Sequence, residues 1–243
     1  MSGKTVAIVQ ARMGSTRLPG KVLRPLAGDS LIGHIARRLG KSRRIDRVVV
    51  ATTVDRRDDA IEREASRHGL FCFRGSEEDV LGRYAGAARR SGAEVIVRVT
   101  ADCPLIDATV VDRILESRDL SSCDYASNTI RRTYPRGLDA EALTRSALER
   151  LDEMAQPGPA REHVTWLVHQ RRGEFSRLSV EDLTDNSDLR WTVDTEEDWR
   201  LVDRIYRDLD LARRDVPYHD VLAHARAHPE IGKLNAHVEQ KSI

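Results

Sequence analysis

VAIVQARMGSTRLPGKVL, residues 6–23, opens with a short β-branched run, Val6 to Gln10, and passes directly into a loop of glycines, small hydroxyls and cations. An apolar run bounded by such a loop has the pattern of a strand buried on both faces. The loop carries Gly14 and Gly20, Ser15 and Thr16, and the cations Arg12, Arg17 and Lys21, so it offers backbone amides and positive charge to phosphates. It is not a Walker loop, because five residues rather than four separate Gly14 from Gly20, and Val22 follows the lysine where Ser or Thr would hold magnesium. Nor does it have the GxGxxG spacing of a dinucleotide fold. Lys21 is one of only five lysines among 40 basic residues, which makes its place inside this loop less expected by chance.

The same rhythm continues outward. Strands are expected at Arg47–Thr52, Leu70–Phe73 and Glu94–Thr100, and helices at Leu31–Leu39, Asp58–His68, Glu77–Arg90 and Thr109–Arg118. The Asp58–His68 stretch has the charged character of an exposed helix. This βαβα order implies a largely parallel sheet covered by helices. After about Ser121 the elements shorten to strand candidates CDYAS (123–127) and FSRLSVE (175–181), which enclose helix candidates Ser146–Ala155 and Arg161–Arg172. Trp191–Asp194 reads as a last strand, and Thr195–Leu209 as a helix whose TEED start supplies a cap and first-turn acids. No repeat or Gly/Ser-rich linker divides the 243 residues, so one domain with an irregular second half is expected, in which residues 125–181 are a candidate subdomain.

Composition narrows the function. Forty Lys and Arg against 39 Asp and Glu give a net charge of +1, so no global basic field points to nucleic acid. The longest apolar runs fall far short of the ~20 residues of a membrane span. Three separated cysteines, Cys72, Cys103 and Cys123, suit reduced thiols better than a disulfide framework. A cytoplasmic protein is expected. His224 and His228 have helical i, i+4 spacing but lack the HExxH glutamate and a third ligand, so no zinc site is expected there.

Two acids stand at strand ends. Asp102 follows EVIVRVT and Asp194 follows Trp191–Val193. In an open α/β sheet ligands bind beyond the carboxyl ends of strands, so both acids are placed to meet around one magnesium ion. Taken singly, Asp102 before Cys103-Pro104 reads equally as a turn residue, and Asp194 as an acid at a helix start.

The phosphate loop resembles that of the cytidylyltransferases that make CMP-sugars, including CMP-KDO and CMP-sialic acid synthetases, and most of all the branch named for spore coat polysaccharide biosynthesis. Further matches are FRGSEEDVLGRY (73–84), RVTADCPLID (98–107), YPRGLDAE (134–141), REHVT (161–165) and RWTVDTEEDW (190–199). The resemblance implies a Rossmann-like nucleotide-diphospho-sugar transferase fold related to the GT-A glycosyltransferases, a three-layer α/β sandwich with a mostly parallel mixed sheet. It implies CTP and a small-molecule sugar or sugar-acid acceptor as substrates, magnesium as cofactor, pyrophosphate as product and a homodimer as assembly. Asp102 and Asp194 become the metal ligands. Arg12, Lys21 and Asp102 become the catalytic set, and Ala11, Arg12, Gly14, Ser15, Lys21, Ser76, Arg83 and Asp102 the nucleotide contacts. Ala101 departs from the glycine that precedes this aspartate in the KDO enzymes, as does Cys103-Pro104 after it.

YPRGLDAE reads as a loop presenting Arg136, Asp139 and Glu141 to an acceptor. A guanidinium such as Arg136 or Arg161 suits a sugar-acid carboxylate, and His163 is a further candidate for acceptor contact. Arg17 is a second candidate cation for the triphosphate and equally a solvent-facing loop residue. Competing readings are another nucleoside triphosphate, a phosphate or phosphonate acceptor, and a nucleotide-binding module without chemistry.

Overall fold

The computed structural model of the chain describes residues 3–171 and 173–240. The first half runs β1 (Thr5–Gln10), α1 (Leu31–Leu39), β2 (Arg47–Thr53), α2 (Asp59–Arg67), β3 (Phe71–Gly75), α3 (Val80–Ser91), β4 (Val95–Thr100) and α4 (Ala108–Ser121). The second half runs β5 (Tyr125–Ser127), β6 (Glu141–Thr144), α5 (Arg145–Met154), α6 (Pro159–Glu162), α7 (Trp166–Gln170), β7 (Arg177–Ser179), α8 (Glu196–Asp208), α9 (Tyr218–Ala227) and α10 (Pro229–Gly232). The seven strands form one sheet in the order β3-β2-β1-β4-β6-β5-β7, in which β6 is antiparallel to both neighbours and every other pair is parallel.

Strand alternation builds two cores from one sheet. Ala7, Val9, Val50 and Val99 pack with Ile35 of α1, Ile61 of α2, Ile114 of α4 and Ile205 of α8. Val6, Ile8, Val49 and Ile96 pack on the other face with Tyr84 of α3 and Leu148 of α5. Burial on both faces is why these strands read as continuous apolar runs. The helices start where short polar side chains cap them: Ser30, Asp79, Asp107, Thr144 and Thr195 each accept from a backbone amide of the first turn.

From β1 the chain winds through β2 to β3 at one edge, then returns to place β4 on the other side of β1. This reversal opens a crevice beyond the carboxyl ends of β1 and β4. Gln10 stands opposite Thr100 in the register, so the loop after β1 and Asp102 after β4 begin side by side.

Four local expectations are corrected. Glu141 is not in a loop but starts β6, because its neighbours Ala142 and Leu143 alternate between the two cores. Trp191–Asp194 forms no strand, since its amides are taken singly: Trp191 N by Arg136 O at 2.6 Å and Val193 N by Asp102 O at 2.8 Å. The Arg161–Arg172 helix is two short helices, α6 and α7, broken at His163–Thr165, and Arg172 lies outside the described residues. Asp58 is not an exposed helix residue but is buried. Among the described residues no helix is long and apolar enough to cross a membrane.

Candidate active site

The loop after β1 is tied down from below. Asp58 accepts from Met13 N at 2.8 Å, from Thr52 Oγ1 at 3.0 Å, and from Thr53 through Oγ1 at 2.6 Å and N at 3.2 Å. Gly20 takes a φ of +69°, which a glycine adopts without the strain a side chain would bring, and so turns the chain into the 3-10 turn Lys21–Leu23. Lys21 thereby points inward, with its side chain only 9% exposed.

Lys21 Nζ spends its three donors on the ends of two elements: Asp102 Oδ2 at 3.2 Å, Asp194 Oδ1 at 2.8 Å and Val193 O at 2.6 Å. Burial disfavours the ammonium, but the two carboxylates outweigh it and raise the Lys21 pKa, so the group is charged. Burial likewise pushes Asp194 up, while Lys21, Arg17 and Arg190 hold it below the usual carboxyl value. Arg17 Nη2 and Arg190 Nη2 lie 2.9 Å and 2.8 Å from Asp194 Oδ2. Asp102 is freer: its side chain is 26% exposed, and Oδ1 accepts from Thr100 Oγ1 at 2.6 Å.

This triangle joins two lobes of one cleft. The first, about 240 Å³, is lined by Gln10, Ala11, Arg12, Gly14, Ser15, Thr16, Arg17, Lys21, Thr100, Ala101, Asp102 and Asp194. The second, also about 240 Å³, is lined by Arg98, Thr100, Asp102, Cys103, Thr129, Arg136, Asp139, Glu141, Thr192 and Asp194. Thr100, Asp102 and Asp194 belong to both, so a group in either lobe meets the same two carboxylates. A basic, glycine-containing lobe, a polar second lobe and paired acids between them suit transfer of a phosphoryl-type group across the junction.

Residues 6–211 match the cytidylyltransferase family. The chain belongs to that family. It is similar to the spore coat polysaccharide biosynthesis protein SpsF of Bacillus subtilis, 32% identical over 207 residues, which are 82% of this chain and 85% of that protein. It is 38% identical over 109 residues to a 3-deoxy-manno-octulosonate cytidylyltransferase of Geobacter sulfurreducens, covering 45% of this chain and 43% of that one. Among solved structures, a cytidylyltransferase from Leptospira borgpetersenii superposes with a TM-score of 0.89 at 32% identity, over 99% of this chain and all of that chain. This cytidylyltransferase is therefore a nucleotidyltransferase with the Rossmann-like, mostly parallel sandwich expected from its sequence.

Of the expected site residues in the cytidylyltransferase, Ala11, Arg12, Gly14, Ser15, Lys21, Asp102 and Asp194 line the first lobe, and Arg136, Asp139 and Glu141 the second. Ser76 and Arg83 line neither. Buried Arg83 donates to Ser76 O at 2.6 Å and Glu77 O at 3.2 Å, holding the segment whose Glu77 lies 3.7 Å from Arg12. Arg161 lies outside both lobes: it is committed to Asp152 at 2.6 Å and Ala155 O at 3.1 Å, and His163 also lines neither lobe. Glu141 is not free to meet a ligand with both oxygens, because it is ion-paired with Arg98 and accepts from Tyr125 Oη at 2.9 Å.

Several residues were missed. Arg190, whose guanidinium spans Asp194 and the buried Asp198, lay inside the quoted RWTVDTEEDW without a role, and only its i, i+4 and i, i+8 spacing to those acids signalled one. Asn235, which donates to Asp198 at 2.8 Å and to Arg190 O at 3.0 Å, comes from far down the chain and carried no local signal. Gln10, at the end of β1, lines the first lobe and has a buried Oε1 without a partner among the described residues.

Proposed function

We propose that the protein transfers the cytidylyl group of CTP to a hydroxyl of an anionic sugar, a sugar acid, and releases pyrophosphate. The acceptor oxygen forms a bond to the α-phosphorus, the bond from that phosphorus to the bridging oxygen breaks, and the hydroxyl proton passes to solvent. The observation that carries this reading is Lys21 Nζ bridging Asp102 and Asp194 where the two lobes meet. The triphosphate occupies the first lobe against Arg12, Ser15, Arg17 and Lys21, and the sugar the second. Charge develops on the leaving pyrophosphate, which Arg12 and Lys21 stabilise.

Two carboxylates on separate elements, already drawn together around one cation, form a hard oxygen donor set that fits magnesium. Asp102 and Asp194 would hold it, and the ion would neutralise the triphosphate. Nε and Nη2 of buried Arg83, without a partner among the described residues, support a nucleotide role for that residue, acting with Ser76 beside the first lobe.

In the second lobe Asp139 is engaged by Arg132 through two bonds, at 2.6 Å and 2.8 Å, whereas Arg136 has no carboxylate at ion-pair distance among the described residues. Burial and the neighbouring Arg132 lower the Arg136 pKa. A half-buried cation short of a counter-charge favours an anionic acceptor. Residues 125–181, which bring these groups to the cleft, also form the homodimer surface in this reading.

The test is pyrophosphate release, with magnesium, from CTP, UTP, GTP and ATP in turn against a panel of sugar acids, sugar phosphates and phosphonates. CTP-selective release that Asp102→Asn abolishes supports the reading. Release from another triphosphate, or equal release by the variant, overturns it.

A further inference from the structure

Away from the cleft, the turn that leads from the phosphate loop into α1 meets the outer face of α2. Three ligand-type side chains converge there: Asp29 from the turn, Glu64 in the last turn of α2, and His68, at i+4 from it, as the helix's C-cap residue. We propose that they bind a divalent transition-metal ion, zinc in the first instance, and that the Arg67 guanidinium holds the ion's place until it arrives.

The spacing supports a single centre. With bonds of about 2.0–2.1 Å, neighbouring donors of a tetrahedral zinc stand roughly 3.3 Å apart. His68 Nε2 lies 3.1 Å from Asp29 Oδ1 and 3.3 Å from Glu64 Oε1, and all three donor atoms lie within 4.8 Å of one another. One imidazole and two carboxylates are a borderline donor set suited to zinc, with a fourth position open to water.

A positive group already occupies the meeting point. Arg67 Nη2 donates to Asp29 Oδ1 and to Glu64 Oε1 at 2.7 Å, and lies 2.9 Å from His68 Nε2. His68 Nε2 faces the Arg67 donor and both carboxylates, so in its neutral Nδ1–H form it presents a lone pair to the centre, the form that ligates a metal. The ligands are more shielded than the place-holder: the side chains of Glu64, His68 and Asp29 are 16%, 19% and 25% exposed, and that of Arg67 is 56% exposed. Ser30 N donates to Asp29 Oδ1 at 2.8 Å, as an outer-shell partner of a ligating carboxylate does.

Gly33 of α1 supplies the second observation. A Cβ there would stand 2.5 Å from both Asp29 Oδ2 and His68 Nε2, so only glycine keeps the α1 side of the cradle clear. The bound ion would clip the Asp29 turn, which continues from Lys21–Leu23, onto α2.

The test titrates metal-free, full-length protein with Co²⁺ in magnesium-containing buffer, follows the visible d–d absorption, and displaces the cobalt with Zn²⁺. Wild type should bind about one equivalent through nitrogen and oxygen donors, and zinc should raise its melting temperature. His68→Ala and Glu64→Gln should lose that equivalent and the thermal shift, and the second reads the result if the first fails to fold. Arg67→Ala should keep the stoichiometry and bind roughly fivefold tighter, the scale of an exposed ion pair removed from competition. Retention of the equivalent in folded His68→Ala or Glu64→Gln, or no cobalt band in wild type and Arg67→Ala alike, overturns the proposal.

Discussion

Lys21 Nζ donates to Asp194 Oδ1 at 2.8 Å across 173 positions of chain, closing the loop after β1 onto the segment that enters α8. The same nitrogen reaches Asp102 beyond β4, so one side chain ties together three loops at the sheet's carboxyl edge.

Replacing Lys21 tests that tie. Lys21→Ala should lower kcat by about 10²–10³, the usual loss when a preorganised charge donor is removed. Lys21→Arg should not restore it, because a planar fork cannot place one point charge against Asp102, Asp194 and Val193 O together. Steady-state kinetics of both variants decide the matter, and near-wild-type turnover in the arginine variant would count against it.

Arg136→Ala should separate the lobes. The KM for the acceptor should rise roughly 10- to 100-fold, equivalent to losing a charged hydrogen bond of about 1.5–3 kcal/mol, while the KM for CTP stays near its wild-type value. A rise in the KM for CTP instead would move Arg136 to the nucleotide.

The fold was largely legible and the site partly so. Strands β1 and β2 announced themselves because burial on both faces leaves a continuous apolar run, β4 did so with only Arg98 breaking its run, and the Thr195–Asp198 capping box marked the start of α8. β6 was hidden, because Pro135, Arg136 and Gly137 precede it and the strand proper is four residues long. Gly137 in fact has φ +102°, and a Cβ there would lie 2.6 Å from Thr192 N, so this glycine lets the YPRGLD turn press against the Trp191–Thr192 backbone. Lys21 after β1 and Asp102 after β4 come together as their places at strand ends implied, and Asp194 joins them from a segment that forms no strand. Asp58 was not, since a helix-start aspartate looks the same whether it faces water or the underside of a loop.

Asp58→Ala should therefore weaken both stability and nucleotide affinity. It strips acceptors from Met13 N and Thr53 N in a buried place, at a cost of about 1–3 kcal/mol. Chemical denaturation and the KM for CTP should both move. An unchanged KM for CTP would deny Asp58 a role in setting the loop.

The Arg98–Glu141 pair gives a pH signature. Burial pushes Glu141 up, but Arg98, Thr165 and Tyr125 outweigh it and leave the folded carboxyl below its ordinary value. Its stabilisation is thus fully present above the unfolded pKa of about 4.3 and is lost as pH falls through the lower folded value. Glu141→Gln should be about 3 kcal/mol less stable at neutral pH, because largely shielded Arg98 loses its partner. The gap in melting temperature between wild type and variant should hold down to about pH 5 and close below it. A gap that widens with acid would contradict the assignment.

The most direct test of the account is the fate of the α-phosphate. With magnesium, an accepted sugar acid and CTP labelled at the α-phosphorus, the label should appear in a CMP-sugar, in equal amount to unlabelled pyrophosphate, and Lys21→Ala and Asp102→Asn should both suppress it. Label recovered as free CMP, or left in CTP while phosphate is released, would contradict cytidylyl transfer at this centre.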